Sequence, residues 1–225
     1  MSKILGVLGG MGPAATVAFL ARVQALTPAE GDADHIRVLM DMNPQVPDRN
    51  RTPDQAETVL GEMAARLRDA GAEIIAMPCN TAHAQGAGIR AAGLPFIDMI
   101  AETTAAVVAT LSAKGGTKRV GILATPGGEA LYTAALTAAG LEPVMLDGAD
   151  REAFMARVYG VKAGDVGEAA RTRMAQLAAA LVARGAEVVI AGCTEVPLLL
   201  SAADVTVPLV DSAEVLAQVC VDTCR

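Results

Sequence analysis

Two stretches of this chain repeat one pattern, half a chain apart. Gly-Ala-Glu leads into four apolar residues, then one turn-forming residue, then a cysteine. The first copy is Gly71-Ala72-Glu73-Ile74-Ile75-Ala76-Met77-Pro78-Cys79, and the second is Gly185-Ala186-Glu187-Val188-Val189-Ile190-Ala191-Gly192-Cys193. A short apolar run bounded by glycine or proline reads as a strand buried on both faces. Each cysteine therefore stands at the end of such a strand. The repeat extends further, since Ile4-Leu5-Gly6-Val7-Leu8 resembles Val120-Gly121-Ile122-Leu123 and Leu94-Pro95-Phe96-Ile97-Asp98 resembles Val207-Pro208-Leu209-Val210-Asp211. The offsets of these pairs are 115, 114 and 113 residues, a nearly constant register. A duplicated unit in 225 residues implies two similar domains of roughly 100 residues each.

Strands and helices alternate in both halves. Strands are expected at 3–8, 36–42, 74–77, 96–98, 119–123, 143–146, 188–191 and 209–211. Helices are expected at 14–26, 55–70, 82–92, 102–112, 129–139 and 165–184, and at the C-terminus. Such alternation predicts an α/β fold. Two similar, pseudo-symmetric domains are expected, each a mainly parallel sheet flanked by helices, with the active site in the cleft between them. The first domain is assigned to 1–98 plus 212–225, where the last helix crosses back, and the second to 99–211. Gly115-Gly116 is the expected loop between the halves.

Composition removes several function classes. The chain is 52% hydrophobic but only 2% aromatic, without Trp, so small aliphatic residues must fill a large core. Its net charge is −7, with no basic cluster, which argues against nucleic-acid binding. No apolar run approaches the length of a membrane span. The first apolar run is broken by Gly9-Gly10-Met11-Gly12-Pro13, a strand and turn rather than a signal peptide, so a cytoplasmic location is expected. Four cysteines are too few for a disulfide framework. Cys220 and Cys224 fall one helical turn apart on the last helix and read as a bland helix surface. With only two histidines, His35 and His83, no metal site is expected.

In open parallel sheets, ligands bind beyond the carboxyl ends of the strands, where both Cys79 and Cys193 fall. Asn80-Thr81 and Thr194-Glu195 follow them and look able to start helices. Amide groups at a helix start attract anions and favour thiolate. Gly9-Gly10-Met11-Gly12-Pro13 is not a dinucleotide fingerprint, and reads as a tight turn that lets backbone approach a small substrate. Ala124-Thr125-Pro126-Gly127-Gly128 takes its place in the second half, with Thr125 offering a hydroxyl. On the proline-stiffened loop 41–50, Arg49 is a candidate grip for a carboxylate or a partner for Asp48. By pattern alone Lys162 is a solvated lysine before a helix. His83 lies one turn past Cys79 and either orients the site or satisfies buried polar groups.

Taken together, Gly9-Gly10-Met11-Gly12-Pro13, Pro47-Asp48-Arg49, Pro78-Cys79-Asn80-Thr81-Ala82-His83 and Gly192-Cys193-Thr194-Glu195 resemble the aspartate/glutamate racemase family, in its cofactor-independent aspartate racemase branch. The resemblance implies that one cysteine, as thiolate, removes the substrate's α-proton while the other, as thiol, protonates the opposite face. It implies that Asn80, Thr81 and Thr194 hold the α-carboxylate, that Arg49 and Lys162 engage a distal carboxylate, and that Met11, Asn43, Gln45 and Thr125 line the pocket. Glu195 would orient or tune its side. A homodimer, and a small amino acid or dicarboxylate as substrate, follow from the same likeness; no lysine motif for pyridoxal phosphate is evident, so no cofactor is expected. Two positions depart from the family pattern and bear on substrate fit: Gly128, where Thr is frequent, and Asn50, where Thr follows the arginine. Two other functions fit the same residues, a cis–trans isomerase of a dicarboxylate such as maleate and a binding protein that has lost turnover.

Overall fold

A computed structural model describes residues 2–49, 51–114 and 118–225. The chain divides into two units, Met1–Glu102 with Ala213–Arg225 and Thr103–Ser212. The expected Gly115-Gly116 loop and Asn50 lie outside the described residues.

In the first unit, β1 (Leu5–Gly9), β2 (Val38–Met42) and β3 (Ile74–Ala76) form a parallel sheet in the order β2-β1-β3. Strands β1 and β3 are buried along their whole length, as their unbroken apolar runs require. Helices α1 (Pro13–Leu26) and α2 (Pro53–Asp69) connect the strands. Each begins with proline in its first turn, where the missing N–H is not needed. One buried cluster joins Phe19, Val23 and Ile74 to Leu216 and Cys220 of α8 (Ser212–Cys224). Another joins Leu60, Met63 and Ile75 to Met11 and Cys79. The expected strand at 96–98 is reduced to a single bridge between Ile75 and Phe96. Ile75 N–H donates to the Pro95 carbonyl at 2.8 Å and Ile97 N–H to the Ile75 carbonyl at 2.9 Å, and the chain then enters α4 (Met99–Lys114).

In the second unit, β4 (Arg119–Leu123), β5 (Glu142–Met145), β6 (Val188–Ala191) and β7 (Leu209–Asp211) are parallel in the order β5-β4-β6-β7. The order of the first three strands repeats that of the first unit, the doubly wound arrangement in which ligands bind where the strand order reverses. Helices α5 (Pro126–Ala138) and α7 (Glu168–Ala183) cover this sheet. An additional helix, α6 (Gly148–Lys162), occupies a stretch to which the sequence pattern assigns no element. Gly148 and Gly160 near its two ends read as turn signals, although the residues between them are good helix formers.

Cys220 and Cys224 correct the expectation of a bland helix surface. Both are fully buried in the first unit, and burial pushes the Cys220 thiol far above its ordinary pKa. They act as small core hydrophobes. Among the described residues, no helix is long and apolar enough to cross a membrane.

Two glycines with positive φ separate backbone strain from steric clash. Gly71 has φ +99° with open space around a notional Cβ, whereas Gly10 has φ +97° with the Asn43 backbone 2.4 Å from that position. Gly71→Ala should cost about 1–2 kcal/mol, the left-handed strain alone. Gly10→Ala should cost more, because the loop after β2 must move. Urea denaturation of the two variants checks this, and equal losses would contradict the packing of Gly10 on Asn43.

Candidate functional site

All the sequence-predicted residues of the first unit fall on loops at the carboxyl edge of its sheet. Met11 follows β1; Asn43, Gln45 and Arg49 follow β2; Cys79, Asn80 and Thr81 follow β3. The turn after β3 is tight. Cys79 N–H donates to the Met77 carbonyl at 2.8 Å, closing a three-residue turn around Pro78. Cys79 is 5% exposed and shares a buried cluster with Met11, Val46 and Met77. Asn80 and Thr81 are buried beside it.

The turn after β1 is equally constrained. Gly10 N–H donates to Thr16 Oγ1, and Thr16 Oγ1 donates to the Gly12 carbonyl, each at 2.9 Å. Asn43 N–H donates to the Gly9 carbonyl at 3.2 Å. Asn43 Oδ1 accepts from Gln45 N–H at 2.9 Å, which shapes its own loop, while Gln45 is exposed.

Arg49 is half-buried on this loop. Its Nη1 donates to the carbonyls of Val46 at 3.4 Å and Pro47 at 3.3 Å, and its buried Nε has no partner. The alternative pairing with Asp48 is not formed, and among the described residues no ion pair is made by Arg49. A guanidinium in that state retains donors for an anion.

His83 settles in favour of structure. Its Nδ1 lies 2.9 Å from the Cys79 carbonyl, and its Nε2 accepts from Met99 N–H at 3.1 Å. Because Nε2 accepts, the proton of the neutral ring resides on Nδ1, which donates to Cys79. The ring stacks on Phe96, with centroids 5.1 Å apart. His83 thus ties the turn bearing Cys79 to the first amide of α4, one of the orphan donors at any helix start. Burial lowers its pKa, partly opposed by the bond to Cys79 and by Asp98.

The second unit gathers Thr125 after β4 and Cys193, Thr194 and Glu195 after β6, again at the carboxyl edge. Gly192 is needed there. A Cβ would stand 2.9 Å from the Tyr132 ring and 3.1 Å from Ala124 Cβ. Gly128 has a related role, since a Cβ would meet Ala124 Cβ at 3.1 Å and the Gly192 carbonyl at 3.4 Å. The small residue lets the start of α5 press on the turn before Cys193. Cys193 is 7% exposed and Glu195 is 4% exposed. Cys193 Sγ donates to Glu195 Oε2 at 2.9 Å, while Glu195 Oε1 is buried without a partner.

Lys162 is the last residue of α6, exposed, with Nζ 5.7 Å from the centre of the Tyr159 ring.

The sequence carries no clear signal for Glu129. It occupies the first turn of α5, is buried, and pairs with Arg151 of α6. Burial raises its pKa, and Arg151 opposes that shift. After Cys79 the 3-10 turn Thr81–Gln85 runs into the short helix α3 (Gly86–Arg90), so the helix expected at 82–92 forms in part, whereas after Cys193 only the 3-10 turn Val196–Leu198 forms. Both are too short for much of a helix macrodipole. Individual groups, rather than a dipole, must govern the thiols. Among the described residues no cluster of three His, Cys, Asp or Glu side chains suits a metal ion.

Residues 8–220 match the family described as Asp/Glu/Hydantoin racemase. The chain belongs to that family. By membership it is a racemase, an enzyme of the isomerase class. It is 26% identical over 229 residues to the broad specificity amino-acid racemase RacX of Bacillus subtilis, an alignment covering 98% of this chain and 97% of that protein. Its fold matches that of the Picrophilus torridus aspartate racemase with a TM-score of 0.85 at 28% identity, covering 99% of this chain and 94% of the other. An aspartate racemase homologue from Pyrococcus horikoshii, 23% identical, shares the fold with a TM-score of 0.78 over 99% and 98% of the two chains.

His83 yields a pH prediction. In the unfolded chain an imidazole takes up its proton near pH 6.5, whereas the folded protein holds the ring neutral to a lower pH. Its contribution to stability is therefore complete above about pH 6.5 and lost as the pH falls toward the lowered folded value. His83→Gln should lower stability at neutral pH and flatten the acid dependence. Urea midpoints between about pH 5 and 7.5 check this, and an unchanged acid slope would contradict it.

Proposed function

We propose that this protein is an amino-acid racemase that works without pyridoxal phosphate, by two-base proton transfer between Cys79 and Cys193, with aspartate or a similar acidic amino acid as its preferred substrate. One buried cysteine at the same structural position of each doubly wound unit is the observation that carries the reading. A single base can remove and return a proton on one face only; inversion needs a second group for the other face, and the duplicated strand end supplies it.

The chemistry is demanding because an α-proton beside a carboxylate is a very weak acid. Catalysis needs a base of matched strength, donors aimed at the charge that develops on the carboxylate, and exclusion of water. In this reading Asn80, Thr81 and Thr194 supply donors to the α-carboxylate, and Met11, Asn43, Gln45 and Thr125 line the pocket. Arg49, with unused donors, and Lys162, the exposed last residue of α6, select a distal carboxylate. The aspartate racemase from Picrophilus torridus and the broad-specificity racemase from Bacillus subtilis support an amino acid as substrate. The low exposure of both thiols suits chemistry in a site from which water is excluded.

Incubation of single L-amino acids in deuterated water, without added cofactor, tests the reading. D-aspartate should accumulate carrying α-deuterium from its first appearance, while the remaining L-aspartate should gain the label only as the reaction reverses. Neutral amino acids should react more slowly, having nothing to offer Arg49. Failure of every amino acid to exchange its α-proton would contradict the assignment.

A further inference from the structure

Glu195 is the buried group whose chemistry the two-thiol scheme leaves half used. Its Oε2 accepts the Cys193 thiol at 2.9 Å, but its Oε1 is buried with no partner. A buried acceptor without a donor is costly, and in native structures it calls for a specific explanation. We propose that Oε1 receives the α-ammonium group of the substrate, which makes Glu195 the residue that admits amino acids and turns away acids lacking the amine. This rests on the reading above, that an amino acid exchanges its α-proton at Cys193.

The covalent geometry of an amino acid favours this pairing. The proton that Cys193 gives or takes is on Cα, and the amine nitrogen is one bond of about 1.46 Å from that carbon. A substrate that presents Cα to Sγ also brings its ammonium group near whatever stands beside Sγ, and that is the Glu195 carboxylate. The charges agree as well. A buried carboxylate is poorly tolerated alone, and the ammonium supplies both the opposite charge and the missing donor. A cation at Oε1 also draws charge away from the Cys193 side of the carboxylate, easing the formation of thiolate there during turnover.

The first unit offers a weaker acceptor. His83 has both ring nitrogens engaged. Gln85 also has a buried, unpartnered Oε1, but it is a neutral amide, and its side chain makes no hydrogen bond among the described residues. Glu195 is charged and is bonded directly to one of the two thiols. An amine-less acid would leave Oε1 unpaired and set another anion near it, the arrangement by which a site built for a donor rejects the analogue that lacks it.

Competition binding with L-aspartate and succinate, which differ by the amine, tests the assignment on the wild-type protein and on Glu195→Gln. The wild type should prefer aspartate by about 100-fold or more. Glu195→Gln should narrow that preference to about tenfold by weakening aspartate while sparing succinate. Glu195→Asp should retain most of the preference and guards against a folding defect in the first variant. If Glu195→Gln discriminates as well as the wild type while the wild type exchanges α-deuterium, this inference is overturned and Glu195 serves Cys193 alone. If the wild type exchanges no amino acid's α-proton, the racemase reading itself falls.

Discussion

The burial of β3 and β6, and the place where each strand runs out, governs the rest of the structure. Both strands are short and solvent-free, with every residue buried. Their backbone groups must be paired on both sides. For β6 the partners are β4 and β7; for β3 they are β1 and the single bridge at Phe96. A strand held that firmly delivers the next residues of the chain to one fixed point. In each unit those residues are a turn through Pro78 or Gly192 and then a cysteine. The doubly wound order places that cysteine beside the central strand, where β1 leads into the glycine turn and β4 leads to Thr125.

The two turns are built from the same plan but held differently. The turn at Cys79 is anchored through its backbone, by a neutral histidine that also caps α4. The turn at Cys193 is tied through its side chain, by a carboxylate. Cys193 donates to Glu195 through its side chain, whereas His83 meets Cys79 at its backbone carbonyl.

The strand ends were legible because unbroken apolar runs bounded by Gly, Pro and Gly-Ala-Glu have few alternatives. The repeat offsets made the order of elements legible in the same way. Helix α6 was hidden by Gly148 and Gly160, which sit near its ends but look like breaks. Phe96–Asp98 looked like a strand because its counterpart, Leu209–Asp211, is one; in the first unit only one residue pairs before Asp98 turns the chain into α4. The cysteines of α8 were readable in principle. Ala213, Leu216, Ala217, Cys220, Val221 and Cys224 form one apolar face once cysteine is counted as a hydrophobe. The bond from Cys193 to Glu195 was not readable, since residues two apart face one another only in a turn of that shape. Nor could spacing decide whether Arg49 would pair with Asp48 or retain its donors.

The claim that two thiols serve opposite faces of one carbon is tested most directly by the stereochemistry of proton exchange in single variants. Cys79→Ala and Cys193→Ala would each be incubated in deuterated water with D- and L-aspartate separately, and the recovered amino acid analysed for α-deuterium and configuration. With one base removed, the remaining thiol should exchange the α-proton of one enantiomer with retention and without racemisation, and the two variants should choose opposite enantiomers. Selection of the same enantiomer by both variants, or continued racemisation by either, would contradict the account.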